Sequence, residues 1–312
     1  MNIIMAMFGA VSQGLTWAIL ALGVYLTFRV LNFADMSCEG SFALGGSISA
    51  VLIVKLGWNP FLTVIIATLA GMIAGFITGV LHTKLKIPAI LSGILTMIGL
   101  YSINLRIMGQ ANTPLIGQRT MFSIVKDLLP EASALGMMDS TLQTWVTMGI
   151  GLVFTVVVIA LIYWYLGTEI GCCIRATGNN EVMVRAQGVN TDSMKILGLV
   201  ISNGLIALSG AIVTQSQGYA DVKMGVGAIV IGLASIVIGE VLFLRPWNFA
   251  FRLFSIMIGS IIYRMIIAVV LQMGLNTDDL KLFTAIVVAF ALSIPQLKKN
   301  RMTVRKGGNF NA

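Results

Sequence analysis

The sequence predicts an all-α polytopic membrane protein, and three observations predict it. Of 312 residues, 57% are hydrophobic and 10% are charged, against about 25% charged in a soluble domain. Mean hydropathy is +0.94. Apolar runs of about 18 to 25 residues recur along the chain, each long enough to cross hydrocarbon as a helix. Counting them gives about nine transmembrane helices, within a range of roughly 8–10.

The expected spans are 7–28, 38–56, 61–81, 89–107, 141–166, 196–217, 225–243, 249–272 and 280–296, in one transmembrane domain over 1–312. Basic residues set their sides. Arg29, Lys84, Lys86, Arg175, Arg185, Lys195, Arg245, Arg252 and the basic tail 297–312 all fall on one side, which is expected to be cytoplasmic. The N-terminus is then outside and the C-terminus inside. A net charge of +8 therefore reports sidedness in a lipid bilayer, with no nucleic acid partner expected. The N-terminus lacks the basic start of a signal peptide, so the first helix is expected to be retained.

The first span carries Ser12-Gln13-Gly14-Leu15, and the sixth carries Ser202-Asn203-Gly204-Leu205. Ala34-Asp35 and Gly40, Gly45 and Gly46 follow the first. Ala220-Asp221 and Gly225, Gly227 and Gly232 follow the sixth. Copies separated by five spans are inverted relative to one another, an arrangement many transporters share.

The second span opens on Asp35-Met36-Ser37-Cys38-Glu39-Gly40-Ser41, too polar for lipid. It reads either as a broken helix lining a pathway or as an interfacial start capped by Asp35 or Ser37. Ser37 and Ser41, with Ser235 and Glu240 of the seventh span, are the candidate pathway or gate residues. Glu240 and Arg264 are the ionisable groups nearest membrane depth, each expected to pair with the other or with a backbone carbonyl. In the long loop 108–140, Met121, Ile124, Val125 and Leu128 share one helical face, which predicts a short surface helix over Thr120–Leu129.

Between the fifth and sixth spans lies the polar stretch 167–195. A short helix is expected over 179–186, capped by Thr177, Asn179 or Asn180 and ended by Gly188. Val182, Met183 and Ala186 would share a face, with Glu181 and Arg185 four apart as an exposed pair. That is the shape of a handle for a cytoplasmic partner, and equally of an ordinary interfacial helix.

No catalytic residues are found: HExxH, GxSxG and paired Cys–His clusters are absent. Cys38, Cys172 and Cys173 with the remote His82 do not make a metal site. No P-loop is present, so no cofactor is expected in this chain. If ATP drives it, a partner binds the ATP and Mg.

At the polar stretch, Gly167 to Asn190, the sequence resembles the permease subunits of bacterial ATP-binding cassette importers of the branched-chain amino acid and ribose type. Gly171, Arg175, Ala176, Gly178, Asn180, Ala186, Gly188 and Asn190 match that family's signature; Arg185 and Cys172–Cys173 depart from it. Leu31-Asn32-Phe33-Ala34-Asp35 is similar to a second family segment, with Asp35 in place of His. Together with Leu81–Gly109, it looks like a sub-branch associated with aromatic amino acid uptake, tryptophan or tyrosine.

The resemblance implies a type II importer fold, a homodimer of permeases in a bacterial plasma membrane, cytoplasmic ATPase subunits and an extracytoplasmic substrate-binding protein. It implies a coupling helix that sits in a cleft of the ATPase, with Arg175, Gly178, Asn179, Asn180, Glu181, Arg185, Gly188 and Asn190 as coupling residues. The solute would be an aromatic or branched-chain amino acid, moved by alternating access. A sugar or nucleoside importer permease is the alternative, and a self-contained secondary transporter a further one.

Overall fold

The computed structural model describes residues 3–130, 138–243 and 248–273, with positions 282, 286 and 289 beyond them. Apart from those three positions, the expected ninth span 280–296 and the basic tail 297–312 lie outside the described residues.

The chain runs α1 (Ile3–Tyr25), which continues through a π-helical turn at Leu26–Val30, then α2 (Cys38–Leu56), α3 (Pro60–Thr83) and α4 (Ala89–Met108). Strand β1 (Asn112–Pro114) and helix α5 (Met121–Asp127) follow, then α6 (Asp139–Leu166), α7 (Glu169–Asn179) and α8 (Glu181–Ala186). The described chain closes with α9 (Thr191–Gln217), strand β2 (Tyr219–Asp221), α10 (Ala228–Leu242) and α11 (Phe249–Gln272). Among the described residues, seven helices are long and apolar enough to cross a membrane; α10, at 15 residues, is shorter.

The polar stretch 167–195 is not a loop. Thr168 caps α7, accepting the Gly171 N–H at 3.3 Å. Asn180 ends α7 and caps α8, accepting the Met183 N–H at 3.1 Å. Asn190 caps α9, accepting the Asp192 and Ser193 N–H groups at 3.1 and 3.2 Å. The sixth span thus begins at Thr191 rather than 196, because the cap lets a polar first turn join the helix. α5 forms under a capping box between Thr120 and Ser123. Its buried residues are Met121 and Phe122, while Leu128, the C-cap, is exposed; the Met121 N–H donates to Gln215 Oε1 at 3.0 Å.

The bundle is built around α1 and α9. Ser202 Oγ donates to the Gly23 carbonyl at 2.7 Å and Ser209 Oγ to the Thr16 carbonyl at 2.9 Å. As α9 advances, its partner on α1 retreats, so the two helices cross antiparallel. α1 lies against α10 and α11, and α9 lies against α2 and α3. Gly14 meets Ile261 of α11, and its counterpart Gly204 meets Met72 of α3. The same Asx turn precedes α2 and α10: Asp35 accepts the Ser37 N–H at 2.9 Å, and Asp221 accepts the Lys223 N–H at 2.6 Å. These are the relations of two inverted halves, with the first helix of each exchanged into the other.

Small residues permit this packing. A Cβ on Gly45 would collide with the Ala207 carbonyl, and one on Gly210 with the Phe42 carbonyl. Lipid supplies no hydrophobic drive between helices, so close backbone approach and hydroxyl-to-carbonyl bonds hold the bundle. The apolar window of α1 is 72% buried and that of α4 only 28%, so α4 is the outer helix.

At one end of the bundle α7 and α8 lie against α9. At the other, β1 and β2 pair antiparallel, Asn112 opposite Asp221 and Pro114 opposite Tyr219.

Candidate functional site

Two sites follow from this frame: a charged knob at the α7–α8 end, and a buried polar junction near mid-depth.

The knob rests on glycines. A Cβ on Gly171 would strike the Tyr165 carbonyl, and one on Gly178 the Val30 carbonyl, so α7 lies directly on the ends of α6 and α1. Arg175 is exposed, and its guanidinium stacks 4.9 Å over the Phe249 ring at the start of α11. Asn179, at the end of α7, and Asn180 are exposed.

α8 is clamped by charge. Glu181 accepts from Lys195 at 2.7 Å and from Arg185 at 3.0 Å. Arg185 also reaches Asp192 at 3.2 Å, and Lys86 of the α3–α4 joint approaches Asp192 at 3.6 Å. Thr191 accepts from Arg185 at 2.7 Å and donates to Glu181 at 3.2 Å. The Lys195 hydrogen bond holds the Glu181 carboxyl below the ordinary glutamate value; partial burial opposes this, and Thr191 and Arg185 reinforce it. Gly188 turns the chain back at φ +85°, a conformation other residues rarely adopt. Val184 faces inward, while Val182 and Met183 are 80% and 55% exposed. The result is a rigid tip with two apolar side chains in the open.

The buried junction joins two of the four expected pathway residues. The segment between α1 and α2 turns back into the protein. Asp35, fully buried, accepts the Ser37 N–H, the Ser37 hydroxyl and, at 2.8 Å, the Asn203 amide. Asn203 in turn accepts Ser41 Oγ at 2.6 Å and stands 3.1 Å from Ser37 Oγ. Asn203 lies about 18 Å from the start of α9, at about 1.5 Å per residue. Irregular backbone at such depth is tolerated where protein satisfies its polar groups, as here.

Ser235 and Glu240 are not brought to this junction. The Ser235 hydroxyl donates to the Ile231 carbonyl of its own helix at 2.8 Å. Glu240 pairs with Arg29 of the π-helical turn, not with Arg264. Arg264 instead lies 4.1 Å over the Trp17 ring. Asp35 and Asn203 were present in the sequence as parts of repeated tetrads and an Ala-Asp pair, but spacing alone gave no sign that they meet.

The family model "Branched-chain amino acid transport system / permease component" matches residues 6–293. The chain belongs to that family. The permease is 40% identical over 286 residues to the tyrosine transport system permease protein of Clostridioides difficile (strain R20291), covering 92% of this chain and 90% of that one. It is 32% identical to the protein RP368 of Rickettsia prowazekii (strain Madrid E), covering 94% and 98%. The ribose import permease protein RbsC of Haemophilus influenzae is 29% identical, over 67% of the permease and 60% of that protein. Among solved structures, PsaBC from Streptococcus pneumoniae in complex with Fab aligns over 93% of the permease and 90% of that chain, at 17% identity and a TM-score of 0.48.

Proposed function

We propose that this permease is the membrane-spanning subunit of an ATP-binding cassette importer that carries an amino acid, with tyrosine the first solute to test. The similarity to a tyrosine permease over nearly the whole of both chains supports the solute class. The α7–α8 end is the cytoplasmic end, which places the N-terminus outside. Two copies of the permease form the path, two ATPase subunits drive it, and an extracytoplasmic binding protein delivers the solute.

The observation that carries the coupling role is the clamped tip of α8, with Val182 and Met183 exposed above a charge network. An ATPase cleft that covers this pair gains apolar burial, and the ion pairs let force on the tip reach α9 instead of being lost in a loose segment. Arg175, Gly178, Asn179, Asn180, Glu181, Arg185, Gly188 and Asn190 act here as supports: they seat, cap, clamp or turn the two short helices. Ser37 and Ser41 belong to the junction that the rocking halves share.

Reconstitution in proteoliposomes with a partner ATPase and a substrate-binding protein tests the reading. ATP-dependent accumulation of tyrosine is expected, and Val182→Glu with Met183→Glu should abolish both accumulation and ATPase co-purification. Uptake that persists without ATP would instead support a secondary transporter. Uptake of ribose and of no amino acid would support the sugar alternative.

A further inference from the structure

A cavity of about 380 Å³ opens between the first turn of α2, the middle of α4 and the stretch that leads into α10. We propose that it is a binding station for the ammonium group and the apolar side chain of the solute during passage. This rests on the reading of the permease as an amino acid importer and adds where, and by which groups, the solute is held.

The cavity is far larger than the ~30 Å³ share of one water and falls within the range of small-molecule pockets. It lies where two helices begin inside the bundle. Gly227, the N-cap of α10, donates its N–H to Glu39 Oε1 at 2.9 Å. Glu39 is in the first turn of α2, two residues before the Ser41 that bonds Asn203. The starts of the corresponding helices of the two inverted halves therefore meet at this point, on the element most affected when the halves rock.

The lining offers acceptors. Asn104 of α4 is fully buried and donates its amide to the Gly40 carbonyl at 3.3 Å. That carbonyl fixes the amide orientation, since a flipped side chain would set two oxygens against each other. Asn104 Oδ1 has no partner among the described residues and almost no accessible surface, so the Glu39 carboxylate is the acceptor that the cavity presents. Glu39 gives one oxygen to Gly227, and its second oxygen makes no hydrogen bond among the described residues. Among the described residues, no Lys or Arg lines the cavity. The Glu39 oxygen left unbonded in a cavity without basic lining calls for a cationic group with N–H donors, which describes a primary ammonium.

The rest of the wall is apolar. Met97, Ile98 and Val226 line it, with Tyr101 at the exposed rim. This suits an aliphatic or aromatic side chain and gives the ammonium a ring face on entry. A sugar, whose hydroxyls need donors as well as acceptors, finds few partners here.

The test uses the permease with its ATPase in lipid nanodiscs, without the binding protein, and measures equilibrium binding of radiolabelled tyrosine. Tyramine, which keeps the amine, should compete; 3-(4-hydroxyphenyl)propionate, which lacks it, should not. Glu39→Gln preserves shape and the acceptor for Gly227 and should weaken tyrosine binding at least about tenfold. Tyr101→Ala, at an exposed position, should weaken it several-fold with the melting temperature unchanged. Equal binding by wild type and Glu39→Gln, competition by the amine-free acid, or no saturable binding would each overturn the station. Those results leave ATP-driven uptake by wild type untouched, so they do not bear on the importer reading. Absence of ATP-driven uptake of any amino acid overturns that reading, and the station with it.

Discussion

Asn203 of α9 donates its amide to Asp35 at 2.8 Å, across the junction between the two halves of the bundle. Both side chains are fully buried. Removing the donor leaves a carboxyl in the interior with Ser37 and the Cys38 thiol to answer it. Asn203→Leu should therefore destabilise the permease by roughly 1–3 kcal/mol or more, the cost of an unsatisfied buried polar group. Ser41→Ala, which leaves Asp35 fully bonded, should cost less. Thermal unfolding in detergent compares them, and an equal loss from both would show that Asp35 does not depend on Asn203.

Gly178 is seated on the Val30 carbonyl with no room for a methyl group. Gly178→Ala should lift the end of α7 from α1 and shift the α8 tip. The expected result is normal insertion of the helices with ATPase co-purification reduced at least about tenfold, the factor that corresponds to about 1.4 kcal/mol. Gly9→Ala, where a Cβ meets nothing, is the matched control and should bind ATPase like wild type.

The clamp on α8 should loosen in acid. Lys195 holds the Glu181 carboxyl below its ordinary value, so the unfolded segment binds its proton first as pH falls. The clamp's contribution is then complete above the ordinary glutamate range and is lost as pH drops through the depressed folded value. Limited proteolysis between α7 and α9 should accelerate over that acid window. Glu181→Gln should cleave at the faster rate already at neutral pH, with little further change in acid. High salt should weaken the clamp as well, because Arg185 and Glu181 are partly exposed.

Arg29 and Glu240 join the π-helical turn to the end of α10, but their side chains are 52% and 30% exposed. A pair this wet is worth about 0.2–1 kcal/mol. Arg29→Gln should barely change the melting temperature. If the pair matters, it is as a latch between halves, and the charge swap Arg29→Glu with Glu240→Arg should restore whatever transport rate the single changes lose.

Much of this architecture was legible in the chain. Helix positions followed from runs of apolar residues, because a segment in lipid must satisfy its backbone internally. The α8 helix followed from Asn180, the Glu181–Arg185 spacing and Gly188, all local signals. What failed to show were relations between distant segments. Ser37 and Ser41 were singled out for polarity at depth, and their partner Asn203 is 166 and 162 residues away. The sequence left Glu240 to pair with Arg264 or with a backbone carbonyl, whereas helix packing puts Arg29 beside it. Asn104 and Glu39 sat unremarked in apolar or capping contexts, since an orphan acceptor is visible only once its surroundings are known.

The exchange of first helices has a consequence in time. α1 packs most extensively against α11, and roughly 220 residues separate Tyr25 from Phe249. At roughly 5–20 residues per second of synthesis, that interval is tens of seconds at the slow end and about ten at the fast. Through it, α1 stands in the bilayer with the Gly14 carbonyl still waiting for Ser260. Neither half can be finished before the other is made, so the permease matures in a single late step. Its nascent first helix is the part most in need of an insertase or a lipid to hold it meanwhile.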